Sequence, residues 1–175
     1  LSPFVPLLFQ GEEWAASTPF QYFTDHQDGE LAAAVSHGRR NEFASFGWSP
    51  DDVPDPQAMA TFERSRLTWT ELGEPGHAEQ LEWVRALLSL RREAGLHAGG
   101  REAVTVDVNE QRSTLVLRRP GLLVACNLGE QPAELEEHAA AVPAAPALSS
   151  GPGAVWDGET IHLPARSVGV WRTAG

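Results

Sequence analysis

The spacing of apolar residues changes at Gly99-Gly100, and this change divides the chain. Upstream, residues 77–94 (HAEQLEWVRALLSLRREA) set Leu81, Val84, Leu87 and Leu88 three and four apart, which predicts an amphipathic helix. Arg91 and Arg92 stand near its C-terminal end, where the helix dipole favours cations, and Gly95 follows as a cap. Downstream the period is two. Strands are expected at 103–108, 113–119, 122–128, 132–137, 159–163 and 167–172, with turns at Asn109-Glu110, Pro120-Gly121 and Asp157-Gly158. Short strands at this spacing predict an antiparallel β-sandwich. Residues 138–153, rich in Ala and Pro, read as a loop or a weak strand.

The N-terminal part reads differently. Residues 4–9 (FVPLLF) are apolar on both faces and run into Gly11, the pattern of a fully buried strand in a parallel sheet. Pro6 fits such a strand only near its start or at a bulge. Residues 14–28 (WAASTPFQYFTDHQD) read as a structured loop, and 29–46 as a helix with Leu31, Val35 and Phe43 on related faces. Residues 47–60 hold three prolines and three Asp and read as an exposed acidic loop; 61–72 read as a short turn docked through Phe62, Leu67 and Trp69. A lone parallel-type strand needs neighbours, and this chain supplies none, so Leu1 is not expected to be the natural start.

Composition narrows the function. The formal net charge of −11 argues against nucleic acid or an anionic membrane as partner. Arg supplies all thirteen basic residues. The single Cys126 cannot form an internal disulfide, which points to a reduced, cytoplasmic setting; its plain role is a small apolar residue in a strand. No stretch approaches the ~20 apolar residues of a membrane span, and residues 1–9 lack the basic start of a signal peptide.

Two places carry candidate chemistry. Glycosidases need two carboxyls flanking one bond, roughly 5–10 Å apart. Glu12 and Glu13 are adjacent, and in an extended strand they would point to opposite faces. Either they hold the strand end through hydrogen bonds, or one faces a cavity at the carboxyl end of a barrel strand. In the loop TPFQYFTDH (18–26), Phe20, Tyr22 and Phe23 offer ring faces to sugars, and Asp25 and His26 offer hydrogen bonds to hydroxyls. The same residues could equally pack the loop and cap a turn. His26 and His37 have no second His or Cys at metal spacing, and Asp51, Asp52 and Asp55 lack the spacing of a calcium loop. The Gly-rich pieces follow no strand-to-helix pattern of a phosphate loop.

The segment SPFVPLLFQGEEWAASTPFQYFTDH resembles the end of the catalytic barrel of maltooligosyltrehalose trehalohydrolases, members of the α-amylase clan. LLFQGEEW is similar to that clan's eighth barrel strand and its exit. STPFQYFTDH, GRRNEFASFGW, VPDPQAMATFERSRLTW and LPARSVGVWR resemble the particular family. The resemblance implies α/β plus all-β architecture: the last strand and helices of a (β/α)8 barrel over residues 1–98, then a C-terminal antiparallel β-sandwich over 99–175. It implies a retaining hydrolase that cuts the α-1,4-glucosidic bond beside a terminal trehalose, releasing trehalose, with no cofactor. The clan's Asp nucleophile, Glu acid/base and second Asp would lie upstream of Leu1, so no catalytic residue and no metal ligand is assigned in this chain. Trp14, Tyr22, Phe23, Asp25 and His26 are the expected substrate-binding residues. The expected partners are the α-1,4-glucan substrate and the remainder of the barrel, and the chain alone is expected to be inactive. Two alternatives stand beside this reading: a branching or debranching enzyme of the same clan, and a non-catalytic carbohydrate-binding β-sandwich module that could use Trp156 and Trp171 as a platform.

Overall fold

The computed structural model describes residues 1–95, 103–137 and 143–173. They form two units, Leu8–Leu81 and a second made of Leu1–Leu7 with Glu82–Gly175. The domain boundary expected at 98/99, and the Gly99-Gly100 pair, lie outside the described residues.

In the second unit all six expected strands form, with bounds within a residue or two: β1 (Thr105–Asn109), β2 (Thr114–Arg119), β3 (Leu122–Asn127), β4 (Ala133–Glu136), β7 (Thr160–Leu163) and β8 (Ser167–Arg172). Two short strands join them, β5 (Leu148–Ser149), in the Ala- and Pro-rich stretch, and β6 (Val155–Trp156), which the sequence pattern did not mark. They build two antiparallel sheets, ordered β1-β2-β3-β8-β5 and β4-β7-β6. The central pair sets Leu123 opposite Trp171 and Val124 opposite Val170. Side chains alternate across a strand, so β3 and β8 feed two cores. On one face Val116, Leu123, Ala125 and Trp171 meet Ile161 and Leu163 of the smaller sheet. On the other, Leu122, Val124 and Val170 bury against Leu90 of α3 (His77–Glu93), with Leu1, Ala94 and the half-buried Cys126 alongside. The continuous apolar run of β3 follows from this double burial. Burial also pushes the Cys126 thiol above its ordinary pKa.

α3 forms over the expected range, but its buried residue is Leu90, and Leu88 is exposed. Arg91 does more than face the helix dipole. Its guanidinium donates to the carbonyls of Ser2 and Phe4 at 2.7 and 2.9 Å, and Arg119 donates to those of Leu1 and Ser2 at 3.2 and 3.3 Å.

The strand expected at 4–9 does not form. Val5 and Leu7 are about nine-tenths exposed, and Phe4, Leu8 and Phe9 about half. A strand of this kind needs a ladder on each side, and the strands among the described residues pair with one another in antiparallel sheets. Nor do Glu12 and Glu13 continue an extended segment: Glu12–Trp14 is a 3-10 turn. Gly11, at φ +86°, turns the backbone, and Phe9, two residues earlier, closes the turn by accepting from the Glu12 N–H at 2.9 Å. A Cβ on Gly11 would stand 2.6 Å from Ala16 Cβ, so the position tolerates no side chain.

In the Leu8–Leu81 unit, α1 (Gly29–Ala44) starts at Asp28, whose carboxylate accepts from the N–H groups of Glu30 and Leu31 at 2.9 and 3.2 Å. It ends two residues before the expected limit, ahead of Gly47 at φ +82°. α2 (Met59–Arg64) and a 3-10 turn at Trp69–Gly73 occupy most of the stretch read as a single docked turn. No helix among the described residues is long and apolar enough to cross a membrane.

Candidate functional site

The Leu8–Leu81 unit is organised by one long loop, residues 15–28, laced rung by rung onto residues 55–71. Ser17 binds Glu71, through its N–H at 3.1 Å and its hydroxyl at 2.6 Å. The Gln21 N–H donates to Ser65 Oγ at 3.0 Å, and the Gln21 amide oxygen accepts from Arg64 Nε at 3.2 Å. The Thr24 N–H donates to the Pro56 carbonyl at 2.8 Å. The Gln57 side chain closes the lace. Its Oε1 accepts from the Thr24 hydroxyl at 2.5 Å and from the His26 N–H at 3.2 Å, and its Nε2 donates to the His26 carbonyl at 3.2 Å.

Gln57 is itself fixed. Its N–H donates to Asp55 Oδ1 at 3.0 Å, and the same carboxylate takes the Ser36 hydroxyl at 2.6 Å and Arg40 at 3.3 Å, both from α1. The Asp55 carbonyl accepts the Thr61 hydroxyl at 2.7 Å at the start of α2. The Ser36 hydrogen bond, then the Gln57 N–H, hold the Asp55 carboxyl below its usual pKa. Asp55 was read as part of an exposed acidic loop; it is a junction of α1, α2 and, through Gln57, the laced loop.

The expected site residues fall into two groups. Tyr22, Phe23, Asp25 and His26 come together on the laced loop. Tyr22 is half-exposed, with the Arg39 guanidinium 5.2 Å from its ring centre; the same cation lies 4.4 Å from the ring centre of Phe43. Phe23 sits in an edge-to-face row, 6.0 Å from Phe20 and 5.2 Å from Phe62, and Phe20 continues it to Phe9 at 4.8 Å. Asp25 is exposed and, among the described residues, its carboxylate accepts only from Gln27 Nε2, at 3.0 Å. The His26 ring makes no hydrogen bond among the described residues. Its backbone, not its ring, is what Gln57 grips.

Trp14 stands apart. It is 3% exposed, meets Trp69 at 5.3 Å with the rings tilted by 40°, and donates its indole N–H to Glu71 at 3.1 Å. A side chain so enclosed cannot meet a sugar ring, which corrects its place among the substrate-contacting residues: it is the floor beneath the loop. Its carbonyl binds His77 Nδ1 at 2.9 Å. Glu12 caps its own turn by accepting from the Phe9 N–H at 2.8 Å, the structural role weighed for it. Glu71 was missed. The sequence offered a single acidic residue in a polar run, without a pattern to show that it collects three donors. These hydrogen bonds, the Ser17 hydroxyl foremost, lower its pKa.

In the strand-bearing unit, Trp171 is fully buried and Trp156 packs on the same core, so neither offers a flat exposed ring to a glucan. Among the described residues no three His, Cys, Asp or Glu side chains converge to hold a metal ion.

This architecture is similar to that of the corresponding part of α-amylase-family enzymes. A candidate alpha amylase from Salmonella typhimurium superposes on 99% of the chain with a TM-score of 0.79 at 32% identity, over 29% of its own length. The trehalulose synthase MutB from Pseudomonas mesoacidophila covers 95% of the chain with a TM-score of 0.55 at 18% identity, which supports the fold alone. By sequence the chain is related to the malto-oligosyltrehalose trehalohydrolases. It is 46% identical to that of Mycobacterium tuberculosis over 132 residues, 75% of the chain and 23% of the relative. With that of Deinococcus radiodurans it is 57% identical over 107 residues, 60% of the chain and 18% of the relative. The chain thus spans about a quarter of the length of the curated relatives it matches. No family model matches it.

Proposed function

We propose that the chain is the C-terminal part of a retaining glycoside hydrolase that cleaves the α-1,4-glucosidic bond beside the terminal trehalose of maltooligosyltrehalose, releasing trehalose and a shorter maltooligosaccharide. The observation that carries this is the 46% identity to trehalohydrolases along three-quarters of the chain. In this reading residues 1–98 complete a (β/α)8 barrel, residues 4–9 become its eighth strand once the other strands are present, and residues 99–175 form the C-terminal β-sandwich. The exposure of Val5 and Leu7 supports it, since those side chains need a partner sheet.

The nucleophile, the acid/base and the stabilising Asp belong to the part of the enzyme outside this chain. The chain's share is the rim. Tyr22 and Phe23 give apolar ring faces to glucosyl units; Asp25 and His26 hydrogen-bond hydroxyls. Trp14 and Glu71 support the loop from beneath. The enzyme works in the cytoplasm and needs no cofactor for acid/base and nucleophilic work by carboxyls.

The test is product analysis. The complete protein, with the sequence that precedes Leu1, is incubated with maltooligosyltrehalose; trehalose and a shortened maltooligosaccharide are expected. New α-1,6 linkages, or hydrolysis of existing ones without trehalose, would assign the protein to branching or debranching instead. The 175-residue chain alone should show no turnover.

A further inference from the structure

We infer that Gln57 is a positioning residue for substrate: by gripping the backbone of His26 and the hydroxyl of Thr24, it sets the direction in which Asp25 and His26 face the sugar. The inference rests on the rim role proposed above for this loop.

The geometry is specific. A carboxamide offers one acceptor and two donors. Here Oε1 takes the Thr24 hydroxyl at 2.5 Å and the His26 N–H at 3.2 Å, while Nε2 gives to the His26 carbonyl at 3.2 Å. Gln57 therefore reads both main-chain groups of one residue, as a neighbouring strand would. No other side chain among the described residues holds the backbone between Asp25 and Gln27 from outside the loop. The grip is anchored at its own base: Asp55 fixes the Gln57 N–H and is itself tied to Ser36 and Arg40 of α1. Among the described residues the His26 ring has no hydrogen bond and Asp25 has one only from Gln27 of its own loop, so their direction is set by the main chain that carries them.

The change Gln57→Glu isolates the donor. It keeps size and the acceptor oxygen but sets a carboxylate oxygen against the His26 carbonyl at neutral pH. Protonation of the introduced carboxyl restores an O–H where Nε2 stood. In the complete enzyme at neutral pH, Q57E should raise KM for maltooligosyltrehalose roughly tenfold, the size of one lost hydrogen bond, with kcat little changed. Relative to the parent at each pH, the Q57E defect should shrink as pH falls through the carboxylate range. Gln57→Ala should raise KM without acid recovery. The melting midpoints of both variants should stay close to the parent's.

A KM for Q57E equal to the parent's, or a defect indifferent to pH, would overturn the inference. So would a loss of activity that follows the melting midpoint down, because that is the mark of a merely structural residue. A parent enzyme that releases no trehalose would remove the rim reading and this inference together, and it would do so before any substitution is made.

Discussion

Trp14 Nε1 donates to Glu71 Oε1 at 3.1 Å, joining a turn and a 3-10 segment 57 residues apart in the chain. The same carboxylate takes the N–H and hydroxyl of Ser17, so one acidic side chain satisfies three donors at the root of the laced loop. Glu71→Ala should strand all three and lower the melting midpoint clearly. Glu71→Gln should fall between, because its amide oxygen still serves Trp14 while its NH2 must face a hydroxyl that can turn to accept. The carboxyl's folded pKa is lowered. Its contribution is therefore present above the unfolded carboxylate pKa and is lost as pH falls through the folded value. Thermal melts of the three proteins at neutral and acid pH check this; an Ala variant that melts with the parent would sink it.

Trp171 fills the core between the two sheets, and its ring lies over Gly169. Trp171→Ala should cost ~3–5 kcal/mol by leaving a cavity. Trp171→Phe should cost distinctly less. The indole N–H is buried without a hydrogen-bond partner among the described residues, so losing it sacrifices no bond. A Cβ on Gly169 would stand 2.3 Å from the indole ring, so Gly169→Ala should destabilise by ~1–3 kcal/mol through overpacking. Urea unfolding followed by tryptophan fluorescence measures all three, and an Ala variant with an unshifted midpoint would remove Trp171 from the core.

His162 Nε2 lies 2.8 Å from Asp157 Oδ2, and its Nδ1 lies 3.5 Å from Glu134. The Asp157 hydrogen bond is the main reason the His162 pKa is raised, and the reciprocal bond is the main reason that of Asp157 is strongly lowered. The signs run in opposite directions. The histidine's contribution is full below its unfolded pKa and is lost as pH rises through the folded value. The aspartate's is present above its unfolded pKa and is lost as pH falls through the folded one. The pair therefore stabilises most between about pH 4 and 6.5. His162→Ala should flatten stability across that window and change it little at pH 9; an NMR titration of His162 with a midpoint at or below that of a free histidine would contradict the account.

Tyr22 and Asp25 are exposed on the laced loop, and the proposed function gives them contact with substrate rather than with a core. In the complete enzyme, Tyr22→Ala and Asp25→Ala should raise KM for maltooligosyltrehalose more than they lower kcat, with melting unchanged. Steady-state kinetics decide it: unaltered constants for both would take the loop out of the site.

Sequence pattern was enough where one face of an element is buried and its ends are marked. The helix from His77 ends at Glu93 ahead of Gly95, and β8 occupies the expected 167–172. It failed where the outcome depends on distant partners. FVPLLF carries the composition of a buried strand, yet no ladder meets it among the described residues. β6, two residues long, is too short to show a period. The site was half legible. Tyr22 to His26 stood out by residue type, but Gln57 and Glu71 are ordinary polar residues whose work is done by hydrogen bonds across 31 and 57 positions. Trp14 was misplaced because an aromatic beside carboxylates looks the same in sequence whether it faces a ligand or the floor.

The pairing of β3 with β8 sets an order of events during synthesis. Leu122 pairs with Arg172 and Asn127 with Ser167, so the central strand waits for a partner made some forty to fifty residues later. Val170 and Trp171, neighbours on β8, complete the two cores on opposite faces. Until β8 leaves the ribosome, the edge of β3 that it pairs with has no ladder partner and both cores lack a member, so the nascent strands are open to wrong pairings. A ribosome stalled before Ser167 should therefore hold this part of the chain in a protease-sensitive state, and one stalled well beyond Arg172 should hold it resistant.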